Sequence, residues 1–147
     1  MTFLRGKEPM SGKECVSFKV MLVEDDEGFR CSLAGLLTSR FPAILLGEAS
    51  DGAEAMEKVK SFLPQLIFMD IKLPGQSGLE VTRRIKALHS DVMVIMLTSY
   101  DFPEYREAAR ASGAYGFLPK GTSTAEEMQD LVEGLCANWT PSGMQSA

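Results

Sequence analysis

The chain has 147 residues, 45% of them apolar, and a formal net charge of −5. This length predicts one domain that is large enough to bury a core. The acidic balance, with no basic cluster to offset it, argues against direct binding of nucleic acid by this chain. Because no run approaches the ~20 apolar residues of a membrane span, we expect no membrane segment.

The cysteines and the single histidine limit which metal sites and catalytic groups the chain can have. Cys15, Cys31 and Cys136 are scattered without metal-ligand spacing, which is typical of reduced thiols and predicts a cytoplasmic protein. His89 stands alone, so the sequence argues against zinc sites that need several histidines. It also argues against Ser–His catalysis that does not use this residue.

The two ends of the chain differ from its middle. Residues 1–18 mix charged residues with glycine and proline and contain no continuous apolar stretch, so we predict a mobile N-terminal leader. Residues 139–147 contain Pro141 and Gly143 and show no periodicity, which predicts a flexible C-terminal tail. The predicted folded domain is therefore 19–138.

Within that domain, apolar runs alternate five times with helical patterns. Short links between alternating elements predict right-handed crossovers and an α/β fold: a doubly wound, five-stranded parallel sheet with five helices. Near-continuous apolar runs in the third and fourth strands indicate that helices cover both faces of the sheet. The predicted strands are 19–23, 44–47, 66–69, 92–97 and 115–118.

Cap residues predict where the helices begin and end. The second helix begins at Ser50 or Asp51 and stops at Pro64, and a turn at 73–75 precedes the third. Two pairs match the capping-box pattern, and one residue at each end bounds the fourth helix. The pairs are Ser77 with Glu80 and Ser123 with Glu126, and the bounding residues are Asp101 and Gly113.

The fourth predicted helix differs from the others in its inner face. That face consists mainly of Ala108, Ala109 and Ala111, with Tyr105. Small side chains bury little apolar area, at ~25 cal/mol per Å². We therefore expect this helix to be held weakly.

Charged and polar residues stand where the predicted strands end. Glu24 and Asp25 follow the first strand, Asp70 the third and Thr98 the fourth, and Lys120 lies just beyond the fifth. The carboxyl ends of parallel strands share one edge of the sheet, where such sheets bind ligands. Three carboxylates, a hydroxyl and an ammonium at one edge predict a divalent cation and a phosphoryl group.

Each of these residues has an ordinary alternative. Acids after the first strand can cap a helix, although one acid suffices for that and several repel one another without a cation. Asp70 can be a turn residue, but Ser77 is the better cap for the next helix, and a carboxylate can act as a nucleophile. Lys120 alone is typical of a surface lysine, and Thr98 alone of a strand residue.

Four stretches carry a resemblance to a known family. They are VMLVEDDEGFR, LIFMDIKLPGQSGLE, VIMLTSYD and ASGAYGFLPK, in this order. From Lys19 to Ala137 the chain resembles the receiver domain of two-component response regulators, with most similarity to receivers of LuxR/NarL-type regulators. The resemblance implies a flavodoxin-like fold with strand order 2-1-3-4-5. It also implies a signalling domain rather than an enzyme, limited to self-catalysed phosphotransfer and autodephosphorylation.

The resemblance implies a phosphorylation site and a metal site. Asp70 matches the phospho-accepting aspartate. Glu24 and Asp25 match the acidic pair that serves Mg²⁺ (or Mn²⁺), with Asp25 as a direct ligand and Glu24 acting through water. Asp70 and the backbone carbonyl of Lys72 would complete this metal site, and Asp26 would be a bystander.

The resemblance also implies a switch. Thr98 matches the switch hydroxyl, Phe117 the switch aromatic, and Lys120 the lysine that contacts the phosphoryl group. Phe117 lacks the hydroxyl that a tyrosine would offer to partners. Gly121 follows Lys120 where the family often has a proline after a cis bond, so no cis bond is expected there.

Turnover of the phosphoryl group bears on two alternative functions. Lys72 and Tyr100 occupy positions that tune phosphoryl lifetime in the family, and neither is an acid or amide that could orient an attacking water, which predicts slow self-hydrolysis. An aspartate-nucleophile phosphatase of the haloacid dehalogenase type expects a second aspartate at the position of Lys72. The other alternative is a receiver-like interaction module that is never phosphorylated.

The implied partners follow from the same resemblance. They are a sensor histidine kinase or phosphotransfer protein as donor, and a downstream protein or a missing output domain as target. A homodimer through the fourth helix, fifth strand and fifth helix is a further expectation. Whether the chain stands alone or is a fragment of a DNA-binding regulator stays open at this point.

Overall fold

The computed structural model describes residues 18–99 and 102–138. Its elements build one five-stranded parallel sheet, a short hairpin and five helices. In chain order they are β1 (Lys19–Val23), α1 (Glu27–Arg40), β2 (Leu45–Ala49), α2 (Gly52–Phe62), β3 (Leu66–Asp70), β4 (Lys72–Leu73), β5 (Gln76–Ser77), α3 (Gly78–Leu88), β6 (Met93–Thr98), α4 (Pro103–Ala111), β7 (Gly116–Pro119) and α5 (Ala125–Asn138).

The sheet has the strand order β2-β1-β3-β6-β7, and all its pairs are parallel. The hairpin β4–β5 shifts the numbering, so β6 and β7 are the fourth and fifth strands of the predicted sheet. The predicted order 2-1-3-4-5 and the doubly wound, flavodoxin-like topology are therefore confirmed. The pairing places Asp70 beside Leu97 and Thr98 beside Pro119, so these strands end at the same edge.

The core forms two layers because side chains of a strand alternate between the faces of the sheet. All five residues of β3 are buried, with Leu66 and Phe68 in one layer and Ile67 and Met69 in the other. Buried residues of α1 and α5 complete the first layer, and those of α2, α3 and α4 complete the second. Phe18, predicted as the last leader residue, is 4% exposed and belongs to the first layer.

At the carboxyl edge of the sheet, the observed strands extend further than the sequence predicts. Ala49, Asp70, Thr98 and Pro119 each close a strand, one or two residues beyond the predicted end. The ladder continues there because all four residues still pair with a neighbouring strand. The turn predicted at 73–75 is the tip of the hairpin β4–β5, where Gly75 adopts a φ of 80°.

Several helix caps agree with the sequence. Asp51 caps α2 by accepting a hydrogen bond from the Glu54 N–H at 2.8 Å. Ser77 caps α3, and its hydroxyl oxygen accepts from the Leu79 N–H. Asp26, the expected bystander beside the acidic pair, is the N-cap of α1.

Both predicted capping boxes need correction. Glu80 does not reach back to Ser77, because its carboxylate pairs with Arg83 and Arg84 one turn further along α3. In α5 the predicted pair Ser123 and Glu126 is wrong by one residue. The reciprocal bonds join Thr124 and Glu127, with N···O distances of 2.9 and 3.0 Å.

Helix α4 buries few of its residues against the rest of the fold. Ala109 is its only buried residue, whereas Ala111, predicted on the inner face, is exposed. Phe102 takes the N-cap position without a side-chain hydrogen bond, and the predicted cap Asp101 lies outside the described residues. Gly113, with a φ of 100°, follows the helix end at Ser112. The expectation of a weakly packed helix agrees with this burial.

None of the helices in the described ranges has the length and apolar character needed to cross a bilayer.

The first turn of α3 lies very close to the backbone at the end of β3. The Gly78 N–H donates to the Ile71 carbonyl at 2.7 Å, and a Cβ on Gly78 would lie 1.9 Å from the Asp70 carbonyl oxygen. No rotamer change relieves such a contact, because both partners are backbone. Only glycine lets the first turn of α3 pass this close to the end of the strand.

We therefore predict that Gly78→Ala lowers the free energy of unfolding by about 2–3 kcal/mol. The matched control is Gly35→Ala, at an exposed position of α1 where a Cβ meets no atom within 4 Å. The control should raise stability by about 1 kcal/mol through helix propensity. Urea denaturation measures both variants, and equal effects of the two substitutions would contradict the packing argument.

Candidate functional site

The carboxyl edge of the sheet brings together the residues that the sequence placed there. Glu24 follows β1 directly, Asp70 closes β3, Thr98 closes β6 and Lys120 follows β7. A backbone bond from the Lys120 N–H to the Thr98 carbonyl, 2.7 Å long, ties the last two strand ends together. The exposed carboxylate of Asp25 stands at the rim of this group.

The ammonium of Lys120 is the centre of the site. Its Nζ lies 2.6 Å from Oε1 of Glu24 and 3.3 Å from Oδ2 of Asp70. The Phe29 ring covers it from α1, with its centroid 4.6 Å away. Burial alone would lower the pKa of Lys120, but the hydrogen bonds and charges of Glu24 and Asp70 outweigh burial and raise it. Lys120 is therefore a fixed positive charge within the site.

Asp70 lies deeper in the structure than an ordinary carboxylate. Its side chain is 7% exposed, and burial, followed by the charge of Glu24, raises its pKa to about 6. The charge of Lys120 and the backbone N–H of Lys72, 3.3 Å from Oδ1, act in the opposite direction. The raised pKa therefore reflects the burial of this carboxylate first and the neighbouring Glu24 carboxylate second.

The acidic loop after β1 is held by its backbone and by one side chain. The Glu24 side chain is 1% exposed, and its Oε2 accepts from the Asp26 N–H at 3.0 Å. The Glu24 N–H donates to the Ala49 carbonyl of β2, and its own carbonyl accepts from Arg30 at 2.6 Å. This places Glu24 inside the fold and Asp25 at the surface of the same loop.

The donor set fits a hard divalent cation. One carboxylate oxygen each of Glu24, Asp25 and Asp70 can be chosen such that all three lie within 4.8 Å of one another. Mg²⁺ and Mn²⁺ prefer oxygen ligands, and Mg²⁺ keeps several waters beside one or two carboxylates. The N–H of Lys72 is bonded to Asp70, whereas a ligand role for its carbonyl stays a prediction.

The two predicted switch residues stand on neighbouring strands. Thr98 is 1% exposed at the end of β6, and Phe117 is half-buried in β7. The guanidinium of Arg106 from α4 lies 4.6 Å from the centroid of the Phe117 ring. Phe117 thus connects the sheet edge to the weakly anchored helix.

Two contacts of this site were missed in the sequence. Phe29 covers the Lys120 ammonium and lines a groove of about 150 Å³ between α1 and the start of α5. Arg30 donates a hydrogen bond to the Glu24 carbonyl. Helical periodicity carries no signal for either contact, because both partners come from other elements.

Comparison with known proteins places this chain in a family. The profile of the response regulator receiver domain matches residues 20–133. The chain belongs to this family. It is a receiver domain of the response regulators of two-component systems, and the resemblance found in the sequence is thereby confirmed.

Characterised relatives of this receiver domain are longer proteins. It is 31% identical over 113 residues to the response regulator GacA of Pseudomonas syringae pv. syringae, covering 77% of this chain and 53% of that protein. It is 34% identical over 114 residues to the transcriptional regulatory protein LiaR of Bacillus subtilis, covering 78% of this chain and 54% of that one. The receiver domain thus spans about half the length of these relatives.

Solved structures agree in fold. The signal receiver domain of the response regulator NarL from Mycobacterium tuberculosis superposes with a TM-score of 0.75 at 29% identity, covering 84% of this chain and 98% of that one. A two-component response regulator of the LuxR family from Aurantimonas sp. SI85-9A1 gives a TM-score of 0.76 at 28% identity, covering 82% and 86%.

The raised pKa of Asp70 predicts a pH-dependent loss of stability. The folded receiver domain binds the Asp70 proton more tightly than the unfolded chain, whose carboxyl has the ordinary pKa of 3.8. Stability linked to this group therefore falls as pH rises from about 4 to about 6 and stays reduced above that. Asp70→Asn should thus be about 1–3 kcal/mol more stable than wild type at pH 7.5, and this advantage should vanish towards pH 4.

Urea denaturation in EDTA at pH 4.5 and 7.5 measures this difference. Asp91→Asn, at an exposed position before β6, is the matched control and should change stability by less than about 0.5 kcal/mol at either pH. An Asp70→Asn variant that is less stable than wild type at pH 7.5 would contradict the account of charge in this site.

Proposed function

We propose that this receiver domain accepts a phosphoryl group on Asp70 in the presence of Mg²⁺ (or Mn²⁺). The observation that supports the proposal most directly is the position of Lys120. Its ammonium contacts Glu24 and Asp70 at the sheet edge and leaves the exposed Asp25 beside them. A carboxylate nucleophile, a fixed cation and a further acid in reach are the parts that phosphoryl transfer to a protein side chain needs.

The metal would be held by the carboxylates of Glu24, Asp25 and Asp70 and by the backbone carbonyl of Lys72. Asp25 is exposed and suits direct contact, whereas Glu24 is buried and engaged with Lys120, which suits a contact through water. Bound there, Mg²⁺ supplies charge neutralisation and orientation for the incoming phosphoryl group.

In the proposed reaction, a carboxylate oxygen of Asp70 forms a bond to phosphorus. The bond between phosphorus and the donor's leaving group breaks, and the leaving group departs with that electron pair. The product is an acyl phosphate on Asp70. Lys120 then follows the negative charge and contacts a phosphoryl oxygen, while the Thr98 hydroxyl donates a hydrogen bond to another.

The output would be a shift between two conformations. Movement of Thr98 towards the phosphoryl group opens space into which Phe117 turns, and the face formed by α4, β7 and α5 repacks. The single buried residue of α4, Ala109, supports this step, because little packing has to be lost. Phosphorylation biases such an equilibrium through local charge.

The partners belong to the proposal as well. The phosphoryl donor would be a sensor histidine kinase or a phosphotransfer protein, and the target a downstream protein, an output domain or a second copy bound through the α4–β7–α5 face. Lys72 lies two residues after the phosphorylation site and is neither an acid nor an amide that could orient an attacking water, which supports slow self-hydrolysis. The second residue behind that expectation, Tyr100, lies outside the described residues.

Phosphorylation is tested with acetyl phosphate, a small acyl-phosphate donor that needs no kinase. Wild type with Mg²⁺ should form a hydroxylamine-sensitive phosphoprotein, and Asp70→Asn should form about a hundredfold less, because its amide is a far weaker nucleophile. Asp91→Asn serves as the control and should label as wild type does. Undiminished labelling of Asp70→Asn would overturn the assignment.

Two other outcomes of this experiment would point to the alternative functions. Rapid turnover of phosphate esters with Asp70 intact would favour an aspartate-nucleophile phosphatase. No labelling of folded wild type by acetyl phosphate, together with no response to beryllofluoride, would favour an interaction module that is never phosphorylated.

The switch is tested by amide hydrogen exchange with and without Mg²⁺ and beryllofluoride, which mimics an acyl phosphate. We predict that the mimic changes exchange in α4 and β7 by about fivefold or more in wild type and much less in Thr98→Val, which keeps the side-chain shape but lacks the hydroxyl. Thr38→Val, at an exposed position of α1, is the control and should respond as wild type does. An equal response of Thr98→Val and wild type would contradict the proposed coupling.

A further inference from the structure

The backbone that carries the acidic pair is clamped by one side chain of α1. Arg30 donates from Nη1 to the Glu24 carbonyl at 2.6 Å and from Nε to Oε1 of Glu48 in β2 at 2.8 Å. Its side chain is 16% exposed, and the hydrogen bond that it donates to Glu48, against the effect of burial, raises the pKa of Arg30. The guanidinium is therefore fixed between an edge strand and the loop after β1.

The exposed acid of that loop has little else to orient it. Within the ranges that the structure describes, the Asp25 carboxylate makes no hydrogen bond and no ion pair. The backbone alone therefore sets where its Cβ lies, and the peptide between Glu24 and Asp25 is a rigid plane. Fixing the Glu24 carbonyl oxygen fixes this plane and, with it, the Cα of Asp25.

We propose that Arg30 is a positioning residue for the metal site: by holding the Glu24 carbonyl, it aims the Asp25 carboxylate at the oxygens of Glu24 and Asp70. This inference rests on the proposed metal site. It assigns to Arg30 an effect on metal affinity, whereas an ordinary ion pair with Glu48 would affect stability alone. The clamp acts through the backbone, in the way that outer groups orient the ligands of other metal sites.

Charge and positioning predict opposite signs, which makes the inference testable. Arg30 is a cation close to a cation-binding cluster, so its removal would raise metal affinity if charge alone mattered. Loss of the clamp would lower affinity, because Asp25 would then have to be ordered when the metal binds. A weaker site after removal of a positive charge is a result that only positioning explains.

The test measures Mn²⁺ binding to the full 147-residue chain by electron paramagnetic resonance of free Mn²⁺ at pH 7.5 and fixed ionic strength. We expect Arg30→Gln to weaken binding by about tenfold. Arg30→Lys should give an intermediate loss, because one ammonium does not reproduce the fork that reaches two acceptors. Glu48→Gln, which leaves the carbonyl contact in place, should stay within about twofold of wild type.

Arg83→Gln is the matched control for loss of charge. Arg83 is an exposed arginine of α3 with an ion pair to Glu80, and its replacement should leave Mn²⁺ affinity within about twofold. An Arg30→Gln variant that is folded by circular dichroism and binds Mn²⁺ as tightly as wild type, or more tightly, would overturn the inference. Should Arg30→Gln fail to fold, Arg30→Lys decides: weaker binding supports the clamp, and unchanged binding overturns it.

Failure of the metal site itself gives a different pattern. Wild type that does not bind Mn²⁺, or Asp25→Asn that binds as wild type does, would refute the proposed site and with it the role of Arg30. Wild-type binding that depends on Asp25 but not on Arg30 would refute the clamp alone.

Discussion

The ammonium of Lys120 lies between two carboxylates, Glu24 and Asp70, that the sheet has buried at its carboxyl edge. Burying charged groups costs free energy that only close partners offset. Here two acids share one ammonium, and burial together with the charge of Glu24 raises the pKa of Asp70. With Asp25 beside them, three carboxylates face one ammonium, and this charge imbalance is the basis of the proposed metal binding.

The fold builds this imbalance from separate elements. β1 and β3 are neighbours in the sheet, and β7 brings Lys120 to them across β6. Gly78 lets α3 begin against the Asp70 backbone, which fixes the end of β3. Arg30 fixes the loop after β1 in a comparable way from α1. The backbone beside Asp70 and that of Glu24 are therefore each held by a contact from a neighbouring helix.

The sequence predicted most of the fold because the relevant signals are local. Continuous apolar runs with helical stripes between them specify five strands, five helices and their winding. Strand ends were placed one or two residues short, because Asp70 and Thr98 are polar but still pair within the ladder. The cap of α5 was misplaced because Ser123 and Thr124 both stand three residues before a glutamate, and only packing chooses between the two frames.

The site was predictable in its composition but not in its electrostatics. The order of the motifs placed Asp70 and Lys120 at one edge, and the structure brings them together. No local sequence pattern predicts that Lys120 is 2.6 Å from Glu24, that Phe29 covers it, or that Arg30 holds the Glu24 carbonyl. These contacts join residues of separate elements, so they depend on how the helices dock on the sheet.

The most direct test of the charge imbalance is a crystal structure of the protein, determined from crystals grown with Mn²⁺, with the metal located by anomalous scattering. We predict one strong peak at the sheet edge, with carboxylate oxygens of Asp25 and Asp70 at about 2.1–2.3 Å, close to the distance of Mg²⁺ from oxygen. A peak elsewhere on the surface, or no peak at millimolar Mn²⁺ with Lys120 still between Glu24 and Asp70, would contradict the account.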